Sequence, residues 1–174
     1  MKTFKYLVVC VFATLTLMNC GGKEEKKKEG FTYEKVAYPE GKADLKEAEN
    51  NSGNIVITSN DLMQFNTKEI KAKAGKKVKL TLRHVGKLDI NVMGHNVVIL
   101  KQGVDLLEFS AKAAVERENK YIPKNSQDII AHTDLIGGGQ VTSIEFDVPE
   151  AGIYDFLCSF PGHSGLMKGK FIVE

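Results

Sequence analysis

A chain of 174 residues with 43% hydrophobic side chains is long enough for one domain with a core of its own. Its 24 Lys and Arg against 22 Asp and Glu leave a formal charge of +2, which excludes the basic surplus of a nucleic-acid binder and gives no ground for a partner chosen by bulk charge. Residues 53–174 alone carry 15 basic and 14 acidic side chains, close to neutral.

The chain opens with Lys2 and Lys5, followed by an apolar run from Tyr6 to Met18. That run is shorter than the roughly twenty residues a bilayer span needs and has the form of a secretory signal. It ends on Leu17-Met18-Asn19-Cys20-Gly21-Gly22. A hydrophobic segment closing on Cys and Gly resembles a bacterial lipoprotein signal. The resemblance implies that residues 1–19 are removed and that Cys20 becomes the lipid-bearing first residue of the mature chain. An ordinary signal peptide with an incidental cysteine is the alternative, and it would give a soluble periplasmic protein. Residues 20–52 are rich in Lys and Glu and poor in apolar clusters, so they read as a tether with an r.m.s. reach of roughly 30 Å.

From residue 53 onward the pattern is that of strands. Asn54 to Ser59 alternates apolar and polar residues, and Phe65 to Ala72 and Lys76 to His84 follow, turned at Ala74-Gly75-Lys76. Val78, Leu80 and Leu82 keep period two, with Lys77, Lys79, Thr81 and Arg83 between them. Val97 to Lys101, Gln140 to Val148, Gly152 to Cys158 and Gly169 to Val173 are further strands, the middle pair joined by a turn at Pro149 to Gly152. Seven or eight short strands predict an all-β, antiparallel Greek-key sandwich. Val104 to Asn119 departs from this pattern. Leu106, Leu107, Phe109, Ala113 and Ala114 recur at helical spacing, which predicts a helix of about three turns on the outside.

The chemistry is concentrated near the end of the chain. Cys158-Ser159-Phe160-Pro161-Gly162-His163-Ser164-Gly165-Leu166-Met167 sets a thiol, an imidazole and a thioether on a Pro- and Gly-containing loop between two strands. A second imidazole, His95, lies upstream in Asn91-Val92-Met93-Gly94-His95-Asn96. Two His, one Cys and a weak Met make the donor set of a blue-copper site, because soft sulfur and imidazole suit both Cu(I) and Cu(II). With Cys10 removed and Cys20 lipidated, Cys158 is the one thiol left, and a metal partner would protect it in an oxidising compartment.

CSFPGHSGLMKG is similar to the copper-binding loop of the azurins, small bacterial cupredoxins, and NVMGHNVV to the segment carrying their first His ligand. NDLMQFNT at 60–67 and IAHTDLIGGG at 130–139 also resemble azurin segments, in the same order. The resemblance implies a cupredoxin domain over 53–174 with one helical insertion. It implies one copper ion held in plane by His95, Cys158 and His163, with Met167 axial and the Gly94 carbonyl as a second weak axial contact. Azurins carry a disulfide near the start of the domain, but Gly53 and Lys76 stand at those positions, and Val97 stands where a buried Trp is common.

Around that site, Asn96 is placed to hydrogen-bond toward Cys158 or Ser159, and the Phe160 N–H to donate to the Cys158 sulfur, while Pro161 has no N–H to give. Phe160, Pro161, Gly162, Gly165 and Leu166, with Met63, Leu88, Val92 and Met93, predict an apolar patch around His163. Such a patch suits brief docking with cytochromes or with copper or haem reductases. His84 and His132 read as structural and surface histidines. Electron carriage is the leading function, and copper buffering or delivery the alternative. A Cys158–His163 thiol hydrolase would leave Met167 without a role, and zinc seldom takes Met.

Overall fold

The computed structural model describes residues 53–174. The expected signal peptide and tether, including Cys20, lie outside the described residues. Among the described residues nine strands form two sheets: β1 Asn54–Asn60, β2 Gln64–Phe65, β3 Glu69–Ala72, β4 Lys77–His84, β5 Val98–Leu100, β6 Ile129–His132, β7 Val141–Asp147, β8 Gly152–Leu157 and β9 Lys168–Val173. One sheet has the order β2-β1-β4-β7 and the other β3-β9-β8-β5-β6.

The strand alternation dictates what lies between the sheets. On β4, Val78, Leu80, Leu82 and His84 are buried while Lys77, Lys79 and Arg83 are exposed. Ile55 and Ile57 from β1 join them and meet Tyr154, Phe156, Phe171 and Val173 from the facing sheet. Val97, at the position open to a Trp, is fully buried in the same cluster.

The expected sandwich is present, with three differences of detail. The sheets are mixed, because β1 pairs parallel with β4 and β3 parallel with β9. Between β1 and β4 the chain crosses to the other sheet through β3, and that detour supplies the crossover that a parallel pair requires. The single strand expected over Phe65 to Ala72 is two strands in different sheets. The corner between them is fixed by Asn66 Oδ1, which accepts from the Thr58 N–H at 2.8 Å, and by Thr67 Oγ1, which donates to the Glu69 carbonyl at 2.7 Å. β6 and a four-residue helix, α1 Ile90–Met93, were not anticipated.

The insertion is helical but shorter than expected. α2 spans Leu106–Ala114, with the Asp105 side chain capping it by accepting from the Glu108 N–H at 2.8 Å. Phe109 and Ala113 face Val98, Leu100 and Leu157 on the outer side of the second sheet, forming a second small core. Beyond Ala113 the apolar stripe ends, and Val115 is exposed. The chain tightens into a 3-10 turn at Arg117–Asn119 and reverses through Lys120 and Tyr121, both at positive φ.

Candidate metal centre

β8 ends at Leu157, so Cys158 stands at the rim of the sandwich, where the chain leaves the sheet. Its peptide N–H donates to the Met167 carbonyl at 2.9 Å, and Met167 N–H in turn donates to the His163 carbonyl at 2.8 Å. A further bond from the His163 N–H to the Phe160 carbonyl (3.0 Å) closes a tight turn, which passes through Gly162 at a φ of +82°. These bonds fold the loop back on itself, with Cys158, His163 and Met167 all buried. His95 reaches the same point from the other side. It is held to Ile136 by a reciprocal pair of 2.9 Å backbone bonds just before β5.

Cys158 Sγ lies 3.9 Å from His95 Nδ1 and 3.7 Å from His163 Nδ1. Bonds of about 2.3 Å to sulfur and about 2.0–2.1 Å to nitrogen, meeting at about 120° on one ion, would separate sulfur from each nitrogen by about 3.8 Å. Both sulfur–nitrogen separations therefore match a three-coordinate metal site, and among the described residues these three side chains bring their donor atoms within 4.8 Å of one another. The Gly94 carbonyl oxygen lies 3.9 Å from the same sulfur. Gly94 has no room for a side chain, since a Cβ there would sit 2.9 Å from Phe160 Cδ2 and against the Ile90 carbonyl.

The protonation states suit this role. Burial holds the His163 imidazole down to about 4, and it does the same to His95 against a raising hydrogen bond to the Asn60 backbone. Both rings are therefore neutral at pH 7. The His95 tautomer is set by its other nitrogen, because Nε2–H donates to the Asn60 carbonyl at 2.9 Å. Burial pushes the Cys158 thiol up to about 11, and the backbone N–H groups of Asn96 and Phe160 act on it in the opposite sense. A metal ion must therefore displace the thiol proton on binding.

Asn96 locks the two segments together. Its Oδ1 accepts from the Ser159 N–H at 2.9 Å and its Nδ2 donates to Ser159 Oγ at 2.8 Å, all of it buried. Phe160 is buried, not part of an open surface, because its ring lies tilted against that of His163 (centroids 4.6 Å) and is met edge-on by Tyr121 at 5.0 Å. His163 is only 3% exposed, and Pro161, Gly162, Gly165 and Leu166 are the exposed residues beside it. Leu88 and Val92 are exposed, and Met63 and Met93 half-buried.

His84 is buried with its ring 4.5 Å from that of His95, whereas His132 is exposed at the end of β6. Sequence reasoning missed Asn60 and Tyr121. The first acts through a carbonyl, which every residue has, and the second through a left-handed turn with no glycine to announce it.

Comparison with known proteins agrees with this geometry. Residues 51–174 match the family model for copper binding proteins of the plastocyanin/azurin family. The chain is 44% identical over 119 residues to Azurin-1 of Alcaligenes xylosoxydans xylosoxydans, covering 66% of this chain and 92% of that protein. It is 42% identical over 125 residues to the outer membrane protein H.8 of Neisseria gonorrhoeae, covering 68% of this chain and 67% of that one. Among solved structures, the azurin Az-iso2 of Methylomonas sp. strain J superposes with a TM-score of 0.65 at 30% identity, covering 71% of this chain and 98% of that one.

Proposed function

This chain belongs to the plastocyanin/azurin family of copper-binding proteins, and from that premise we propose the ligand set, docking face and membrane attachment with which it works. It is a blue-copper electron-transfer protein, not an enzyme, and one copper ion is its cofactor. The observation that carries this conclusion is the buried triangle of Cys158 Sγ, His95 Nδ1 and His163 Nδ1.

In this reading His95, Cys158 and His163 would hold the copper, with Met167 and the Gly94 carbonyl as weaker donors. Copper, when bound, supplies a one-electron couple between Cu(I) and Cu(II). The chain's own contribution is to keep the donor atoms still. Asn60 fixes the His95 ring, Asn96 fixes the spacing of the two ligand segments, and the Phe160 ring fills the space beside Gly94. Ligands that hold one geometry in both oxidation states leave little to reorganise when the electron moves. A buffering or delivery protein needs reachable ligands, and none of these three is more than 3% exposed.

Electrons leave and enter at the His163 edge, where Leu88, Val92, Pro161 and Leu166 give an apolar face for cytochromes or for copper or haem reductases. The experiment for this face is Leu166→Glu in copper-loaded protein. Electron self-exchange should fall about tenfold or more through like-charge repulsion, with the visible spectrum unchanged. An unaltered rate would remove the docking assignment.

Export and lipid attachment at Cys20 complete the proposal, leaving the domain on the periplasmic side of a bacterial membrane or at the cell surface, on the tether 20–52. The similarity to a protein named for the outer membrane supports this placement. Metabolic labelling with a radioactive fatty acid should mark the wild type and not Cys20→Ala, and an unlabelled wild type would make the protein a soluble periplasmic one.

A further inference from the structure

One loop, residues 60–63, touches both His95 and the exposed apolar face, and its acidic residue has no part in the ligand set. Asp61 is four-fifths buried, with side-chain exposure of 19%. Its Oδ2 accepts from the Lys87 N–H at 2.8 Å and its Oδ1 from the Leu88 N–H at 3.2 Å. A carboxylate that takes two successive peptide N–H groups from a distant loop is a charge-assisted clamp, stronger than a neutral hydrogen bond. The receiving loop is shaped for it, since a Cβ built on Gly86 would fall on the Asp61 carboxylate.

The residues beside this clamp show what it holds. Leu62, next to Asp61 in sequence, is 64% exposed, and Leu88, whose N–H the carboxylate grips, is 41% exposed. On the other side, the Asn60 carbonyl accepts from His95 Nε2, and the Asn60 side chain accepts from the N–H groups of Leu62 and Gln64 at 3.0 and 3.2 Å. The loop is thus tied to His95 at one end and to segment 87–88 through Asp61.

We propose that Asp61 is a positioning residue for electron transfer: it joins the loops 60–63 and 85–88 into one surface and so sets the placement of Leu88 on the docking face. This rests on the reading of that face given above, and deepens it. Asp61 touches neither the electron nor the ligands' donor atoms. It acts by preorganisation, so that an encounter does not have to order two loops before contact is made.

The test uses the full mature chain with Asp61→Asn and, independently, Gly86→Ala, which should displace the same carboxylate without changing any charge. In metal-free protein, hydrogen exchange at the Lys87 and Leu88 amides should speed up roughly tenfold or more in both variants, as expected for loss of a charge-assisted bond. In copper-loaded protein the visible spectrum should stay as in the wild type while electron self-exchange slows several-fold. Unchanged amide exchange in both variants would overturn the proposal, and so would faster exchange with wild-type self-exchange, which would reduce Asp61 to a local turn residue. If the wild type itself exchanged no electrons, the carrier reading would fall too, a result distinct from either.

Discussion

A buried imidazole beside a buried thiol has its proton inventory set by desolvation, and here that works on both histidines of the triangle in one direction. His95 and His163 are held to about 4, below their ordinary 6.5. Between those values the unfolded chain takes up protons that the folded metal-free chain does not. The stability tied to neutral histidines is therefore complete above about pH 6.5 and is lost as pH falls toward 4, by on the order of a few kcal/mol. The melting temperature of metal-free protein should be level near pH 7 and fall through that window. In His163→Gln the fall should be shallower, and an equal fall would show that His163 does not contribute. At this scale the four proposed donor residues were legible in the sequence because their elements, two sulfurs and two imidazoles, are rare and chemically particular. Asn60 and Asp61 were not: one acts through its carbonyl on His95, and the other binds peptide N–H groups 26 and 27 residues away.

At the scale of elements, the clearest part of the sequence was β4, whose alternation of Val78, Leu80 and Leu82 against Lys77, Lys79 and Arg83 is kept unchanged as inside and outside. β6 escaped notice because Ile129, Ile130 and Ala131 are all half-buried at an edge and do not alternate. The break between β2 and β3 escaped because the turn at Asn66 and Thr67 is made by side-chain hydrogen bonds to distant and local backbone, with neither Gly nor Pro to mark it. α2 lies on the far side of the second sheet's own strands, in a cluster separate from the one that contains Cys158 and Met167. Phe109→Ala should therefore cost about 3–5 kcal/mol of stability, the range for a buried Phe. The visible band of the copper-loaded protein should not shift. Measured by denaturant unfolding and absorption together, a shifted band would mean that the insertion does reach the site.

For the molecule as a whole, the sandwich brings together two segments 63 residues apart at one rim and encloses them. Cys158 follows β8 and His95 precedes β5, strands that pair with each other in the second sheet, so the register of that sheet sets the separation of the two side chains. Asn96 then fastens the same two segments side chain to backbone. The architecture explains why the donors are far apart in sequence and yet need no loop rearrangement to meet.

The most direct measurement is an anaerobic copper and reductant titration of the mature protein, followed by visible absorption, with Cys158→Ser as the control. The wild type should take up one copper per chain, develop an intense thiolate-to-Cu(II) band, and lose it on addition of one electron per chain. The band should return on reoxidation, and Cys158→Ser should fold but never show it. A copper-loaded wild type that stayed colourless, or that could not be cycled by one electron, would contradict the account.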